Sequence, residues 1–202
     1  MRLVAQNISI VRAARRLAAN VSFTLDPGGA LVLLGANGSG KTSLLRAIAG
    51  LLPLESGAVV LEEADDLTVA DVTHFVGHDN ALKTRLTPRE NLTFWAAMLG
   101  GDDAPEAIAT ALARVGLPHV ADLSVGVLSA GQKRRVALCR LLVAPRPLWL
   151  LDEPTTALDS AATALLGTLL AAHREAGGMV IAATHAELAL PGAATIILGQ
   201  AA

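Results

Sequence analysis

The sequence predicts an α/β fold interrupted by a helical insert, on three observations. Short apolar runs of strand length alternate with helical patterns over most of the 202 residues. A glycine-rich segment, GANGSGKT (35–42), stands between one such run and a helical pattern. From about residue 79 to residue 128 the strand signal disappears and helical patterns take over. Alternation of this kind builds a sheet covered by helices.

Composition narrows the options further. Apolar residues make up 52% of the chain and aromatic ones 2%, so Ala, Leu and Val must fill the core. The formal charge of −2 argues against a nucleic-acid footprint, which is usually basic. A mean hydropathy of +0.50 raises the question of a membrane. No uninterrupted apolar run reaches the ~18 residues that a spanning helix needs, and MRLVAQNISIV at the start has polar breaks and no signal-like block. The expectation is a cytosolic chain that docks on something in a membrane. Cys139 is the single cysteine, which excludes an internal disulfide and reads as a buried, inert thiol.

Taken in order, VSFTL (21–25) alternates as a half-buried strand does, whereas ALVLLG (30–35) is continuously apolar. Continuous runs suit strands buried on both faces, as in parallel sheets. GAVVLE (57–62), LWLL (148–151) and MVIAAT (179–184) read the same way, and ATIIL (194–198) closes the sheet. In the insert, Thr87, Pro88 and Glu90 form a capping box with proline at the first helical position. Leu92, Trp95, Ala96 and Leu99 then share one helical face, and Gly100–Gly101 stop the helix. Asp103 with Glu106 opens a further helix carrying Ile108, Leu112 and Val115 and ending at Gly116.

The glycine-rich segment fits G-x-x-x-x-G-K-[ST] in the strand-to-helix context that this motif requires. Gly35, Ala36, Asn37, Gly38, Ser39, Gly40, Lys41, Thr42 and Ser43 therefore form the candidate nucleotide cradle, in which backbone N–H groups converge on phosphates. Lys41 is placed to reach the β- and γ-phosphates, and the Thr42 hydroxyl to ligate Mg²⁺. A glycine-rich turn that binds nothing is the bland alternative. PLWLLDEP (147–154) supplies the second half: Asp152 ends a buried strand at the carboxyl edge, where open α/β sheets bind ligands, and suits the magnesium shell. Glu153, one step farther out, can polarise an attacking water. His185 follows IAAT at the end of another such strand and emerges on the same edge, in reach of a γ-phosphate.

LSAGQ (128–132) has no acid, base or strong nucleophile. Ser129 and Gln132 have capping-box spacing, which alone would explain the segment as a helix start. A helix N-terminus fronted by Ser129, Ala130 and Gly131 is also an anion site, with exposed N–H groups and no bulk. One nucleotide needs one phosphate cradle, and the chain already has one. The second makes sense if it faces a nucleotide held by another copy, so that a symmetric pair encloses two ATP molecules.

The order GANGSGKT, LSAGQ, LLDEP, ALD (157–159), His185 resembles the ATP-binding cassette (ABC) nucleotide-binding domains over essentially the whole chain. The resemblance implies a P-loop NTPase with a RecA-like core (about 1–78 and 145–202), an N-terminal antiparallel β subdomain and a helical insert (about 79–144), all one domain. It implies the head-to-tail ATP sandwich, places Asp159 on a loop crossing between subunits, and makes the insert the dock for integral membrane subunits. Two positions depart from the common pattern. His78 stands where a glutamine usually senses Mg²⁺ and water, and its charge depends on pH. Arg12 stands where an aromatic residue usually stacks on adenine; a guanidinium can stack there too, or Arg12, Arg15 and Arg16 form a solvated basic turn.

These departures, with LTPRENL, SAGQKRRVALCRLL and GGMVIAATH, are most similar to the ATP-binding subunits of the bacterial haem exporter of cytochrome c-type biogenesis. That resemblance implies a peripheral subunit on the cytoplasmic face of the inner membrane, coupling ATP hydrolysis to haem handling or to release of a haem-loaded chaperone. The sequence has no Cys or His cluster for haem, so no direct haem contact is expected. The competing readings are an ABC ATPase serving another substrate (an amino acid, metal or lipid), a nucleic-acid- or ribosome-associated cassette, and a nucleotide-gated scaffold without turnover. The second of these usually has two cassettes in tandem and basic extensions, and the intact Glu153 and His185 weigh against the third.

Overall fold

A computed structural model describes residues 1–12, 15–185, 188 and 190–199, with only the backbone of residue 15. Strands β1 (Arg2–Arg12), β2 (Arg15–Leu25) and β4 (Ser56–Glu62) form an antiparallel sheet in the order β2-β1-β4. Strands β3 (Ala30–Leu34), β5 (Thr73–Val76), β6 (Leu148–Asp152), β7 (Met179–Ala183) and β8 (Ala194–Ile197) form a parallel sheet in the order β5-β6-β7-β3-β8. The continuous apolar runs behave as predicted in β6 and β7, where every residue is buried. ATIIL likewise closes one edge of the parallel sheet, beside β3.

GAVVLE behaves differently. It pairs antiparallel with β1 and has no buried residue, so an apolar run of this length did not distinguish a central strand from an edge. Strands β1 and β5 carried no clear signal of their own. In β1 the pairing slips between Ala5 and Ile8 and again before Ile10, and Asn7 has φ 49°, so the two-residue alternation is broken. Strand β5 is only four residues long.

The described residues divide into two compact units, one of residues 1–77, 147–154 and 167–202, the other of residues 78–146 and 155–166. In the first, both sheets and helix α1 (Lys41–Ile48) share a core that includes Leu3, Ile8, Ile10, Leu31, Leu33, Leu44, Leu45, Leu150 and Ile181. Trp149 stacks on His173 with ring centroids 3.7 Å apart, and burial holds that imidazole below its usual pKa.

The second unit holds α2 (Pro88–Leu99), α3 (Pro105–Arg114), α4 (Ala130–Leu138) and α5 (Arg140–Val143). The capping box on α2 forms as the sequence indicated: Thr87 Oγ1 accepts from Glu90 N, and Glu90 Oε2 accepts from Thr87 N. Helix α3 starts later than Asp103: its N-cap is Ala104 with Pro105 at the first position, and no side chain caps it. The helix after LSAGQ, α4, runs for nine residues. It is interrupted at Cys139, whose fully buried thiol is pushed far above its usual pKa by desolvation. Helix α6 (Ser160–Glu175) follows β6. Among the described residues no helix is long and apolar enough to cross a membrane.

Candidate functional site

Parallel strands carry their carboxyl ends to one edge, and in the first unit that edge bears the loops after β3, β6 and β7. The loop after β3 turns into α1 at Gly40, whose φ of 103° is a conformation that side-chain-bearing residues avoid. A Cβ there would also lie 2.9 Å from the Leu17 carbonyl oxygen. Gly40 brings no side chain to cap α1, and the first-turn N–H groups of a helix have no intrahelical partner. The Ser39 hydroxyl is buried without a hydrogen-bond partner among the described residues. Lys41, 6% exposed, donates from Nζ to the Gly35 carbonyl at 2.6 Å and to that of Ala36 at 3.2 Å. The loop is thus closed on its own lysine, with donors left over for an anion.

The other half of the edge is acidic. Asp152 is 2% exposed and accepts from the Thr42 hydroxyl through both carboxylate oxygens, at 3.1 and 2.9 Å. A hydroxyl and a carboxylate are hard oxygen donors of the kind Mg²⁺ takes, so this pair fits that ion. Glu153 follows with φ 47°, an uncommon backbone for a non-glycine residue, and its N–H donates to the Ala183 carbonyl at 2.8 Å. His185 Nδ1 lies 2.9 Å from Glu153 Oε2. The carboxylate is largely covered and the imidazole mostly exposed. The pair stands at the same edge as Lys41 and Thr42.

A cavity of about 450 Å³ is lined by Asn37, Gly38, Gly40, Lys41, Thr42, Ser43, Asp152 and Glu153, and also by Arg12 and Leu17. Arg12 ends β1 and is exposed. Of the alternative basic turn, residues 13 and 14 and the side chain of Arg15 lie outside the described residues. Leu17 was not foreseen as a cavity residue, because an apolar position on a strand carries no mark of what it will face.

Ser129, Gly131, Gln132, Asp159 and His78 belong to the second unit. There Ser129 Oγ accepts from Gln132 N at 3.2 Å and Gln132 Oε1 from Ser129 N at 2.9 Å, closing a reciprocal box at the start of α4. Gly131 is needed for close approach: a Cβ would lie 2.8 Å from the Ala157 carbonyl oxygen. Asp159 caps α6, with Oδ1 accepting from Ala162 N at 2.7 Å. His78 is exposed at the start of the loop that leads to α2.

Comparison with known proteins places this geometry. The sequence pattern of the family described as "ABC transporter" matches residues 18–156. A cytochrome c biogenesis ATP-binding export protein CcmA of Paramagnetospirillum magneticum is 50% identical, covering 97% of this chain and 93% of that protein. One of the same name from Mesorhizobium japonicum is 48% identical, covering 96% of each. Among solved structures, the ATP-binding subunit of an ABC transporter superposes with a TM-score of 0.86 at 24% identity, covering 98% of this chain and 86% of that one. An ATP-binding cassette of an ABC transporter in its ADP conformation gives a TM-score of 0.79 at 20% identity, covering 98% and 87%. At these identities the two structures speak for the fold alone.

Proposed function

This chain belongs to the ABC transporter family, among the cytochrome c biogenesis ATP-binding export proteins, and from that premise we propose that it is the ATP-hydrolysing subunit of a membrane-bound haem exporter. The observation that carries the catalytic part is the assembly of one strand edge: Lys41 and Thr42 at a helix start, Thr42 bonded to Asp152, and Glu153 Oε2 2.9 Å from His185 Nδ1.

ATP lies with its phosphates in the loop of residues 35–43, where unpaired N–H groups and the Ser39 hydroxyl receive their oxygens. Lys41 exchanges its two loop carbonyls for β- and γ-phosphate oxygens, so binding opens a grip that the empty loop closes on itself. Thr42 and Asp152 would hold Mg²⁺, which neutralises charge on the β- and γ-oxygens when bound. Glu153 orients a water in line with the γ-phosphorus and accepts its proton as the new P–O bond forms. The bond from the γ-phosphorus to the β–γ bridging oxygen breaks, and ADP leaves with the electron pair, followed by inorganic phosphate. His185, 2.9 Å from Glu153, holds that carboxylate in line and donates towards the γ-phosphate. Arg12 lies beside the purine face, and the Leu17 side chain completes that end of the cavity.

Ser129, Gly131 and Gln132 meet the γ-phosphate held by a second copy, and Asp159 lies on the segment between the two sites. Two chains therefore close head to tail over two nucleotides. His78 takes the metal-sensing position, integral membrane subunits bind the helical insert, and the complex works at the cytoplasmic face of the inner membrane. The relatives' role in cytochrome c biogenesis supports haem as the cargo; this subunit supplies energy without touching it.

Glu153→Gln tests the chemistry. The variant should bind ATP normally, hold the pair closed, and turn over roughly 10²–10⁴ slower, the usual contribution of a positioned base. Hydrolysis at the parent rate would remove Glu153 from its role. Co-purification of integral membrane proteins together with bound haem tests the cargo, and partners carrying a different substrate would replace haem with that substrate.

A further inference from the structure

Strand β8 stays in register with β3 past its own last residue, because Leu198 N donates to the Leu34 carbonyl at 2.8 Å. At that point β3 gives way to the phosphate loop. The Leu198 side chain is 7% exposed and belongs to the core of the first unit, so the backbone at 198–199 is anchored there. What this backbone meets is the loop itself. A Cβ on Gly35 would lie 2.5 Å from the Leu198 carbonyl oxygen and 2.6 Å from Ser39 Oγ. A Cβ on Gly199 would lie 3.0 Å from Ser39 Cβ. Gly199 has φ 86°, a region open to glycine and avoided by residues with side chains.

Ser39 therefore stands in a slot between two glycines, one from its own loop and one from the end of β8. Bare walls let the slot be narrow, and a narrow slot restricts where the hydroxyl can point. The slot gives that hydroxyl no hydrogen bond: Ser39 is buried, and its Oγ has no partner among the described residues. A buried hydroxyl left unpaired is costly, and a bound anion would complete it. The Ser39 backbone is fixed from within the loop, its N–H donating to the Ala36 carbonyl at 3.1 Å. The next residue has no slack either, since a Cβ on Gly40 would lie 2.9 Å from the Leu17 carbonyl oxygen.

We propose that the Leu198–Gly199 backbone is a positioning part of the nucleotide site, which aims the Ser39 hydroxyl at the phosphates. The missing side chain of Gly199 is what leaves Ser39 its place. Neither Leu198 nor Gly199 touches the nucleotide. The inference rests on the proposed reading of residues 35–43 as the phosphate cradle and adds a support for it from β8, a strand that bears none of the motifs.

The test is a double-mutant cycle read as the Mg·ATP dissociation constant of the full chain. Gly199→Ala pushes on Ser39 Cβ and should raise that constant about tenfold, the lower end of what one lost hydrogen bond to a charged group costs. Ser39→Ala removes the hydroxyl outright and should weaken binding to a similar extent. With no hydroxyl left to aim, adding Gly199→Ala to Ser39→Ala should cost less than a further twofold. Backbone strain at residue 199 is present with and without nucleotide, so it lowers the melting temperature and leaves the dissociation constant alone. Gly199→Asn is a second route should Gly199→Ala fold poorly: asparagine accepts positive φ more readily and still carries a Cβ, and the same pattern is expected. A lower melting temperature at an unchanged dissociation constant would make the turn a piece of the fold and overturn the inference. A full further tenfold loss in the Ser39→Ala background would also overturn it, because the effect would not run through the hydroxyl. A parent chain that binds no Mg·ATP would overturn the phosphate-cradle reading itself, before any variant is compared.

Discussion

Two helices in this chain begin on small residues, and they begin in opposite ways. Helix α1 starts at Gly40, in left-handed backbone, with no side-chain cap. Helix α4 starts at Ser129, whose side chain and that of Gln132 satisfy each other's backbone N–H groups. The first is left open and held by Lys41 folding back on loop carbonyls. The second has its Ser129 and Gln132 N–H groups satisfied before any ligand arrives. A helix start that stays unsatisfied waits for a partner its own chain will bind. A self-capped start of small residues is stable alone and can serve as a surface presented to something held elsewhere. This difference is the physical content of assigning one segment to a nucleotide in the same chain and the other to a nucleotide in a second copy.

Substitutions on either side of the comparison should separate binding from turnover. Lys41→Ala removes charge-assisted bonds from the open start. Two such bonds, at about 1.5–3 kcal/mol each, correspond to a loss in nucleotide affinity on the order of 10²–10⁴, readable by titration on the single chain. An affinity within tenfold of the parent would show that the open start is not the primary phosphate site. Ser129→Ala removes both the cap and the hydroxyl from the closed start. Affinity of the single chain should not change, whereas turnover of the complex should fall on the order of 10–10² through one lost charge-assisted bond. Weaker binding in the single chain would erase the distinction between the two helix starts. Arg12→Ala touches only the base end of the cavity and should weaken nucleotide binding about two- to fivefold, the scale of an exposed cation–π contact, with turnover at saturation unchanged. An unchanged dissociation constant would leave Arg12 a solvated charge.

How much of this could be read from the amino-acid order depends on how local each signal is. Strands β6 and β7 were legible because strands buried on both faces need no alternation, only uninterrupted apolar residues. The capping box at Thr87 was legible for the same reason: its partners lie three residues apart. Strand β1 was not, since its bulges shift the pattern from alternation to runs of three buried residues. Strand β4 misled, because continuous apolar sequence at an exposed edge looks like a central strand.

At the site, the glycine-rich loop and Asp152–Glu153 announced themselves through short motifs behind strands. Their joining through the Thr42–Asp152 bond spans 110 positions and becomes visible only in the fold. Leu17 was invisible, and Trp95 was seen only as part of an apolar stripe. Its indole N–H reaches the loop at Ala81, an attachment that depends on a left-handed residue no periodicity foretells.

The most direct test of the central claim is the structure of the Glu153→Gln complex saturated with Mg·ATP in the presence of its membrane subunits. The account predicts that Ser129 Oγ and the Gly131 N–H lie within hydrogen-bond distance of a γ-phosphate whose β-phosphate rests on Lys41 of the other copy. A closed, fully loaded complex with residues 128–132 distant from both nucleotides would contradict it.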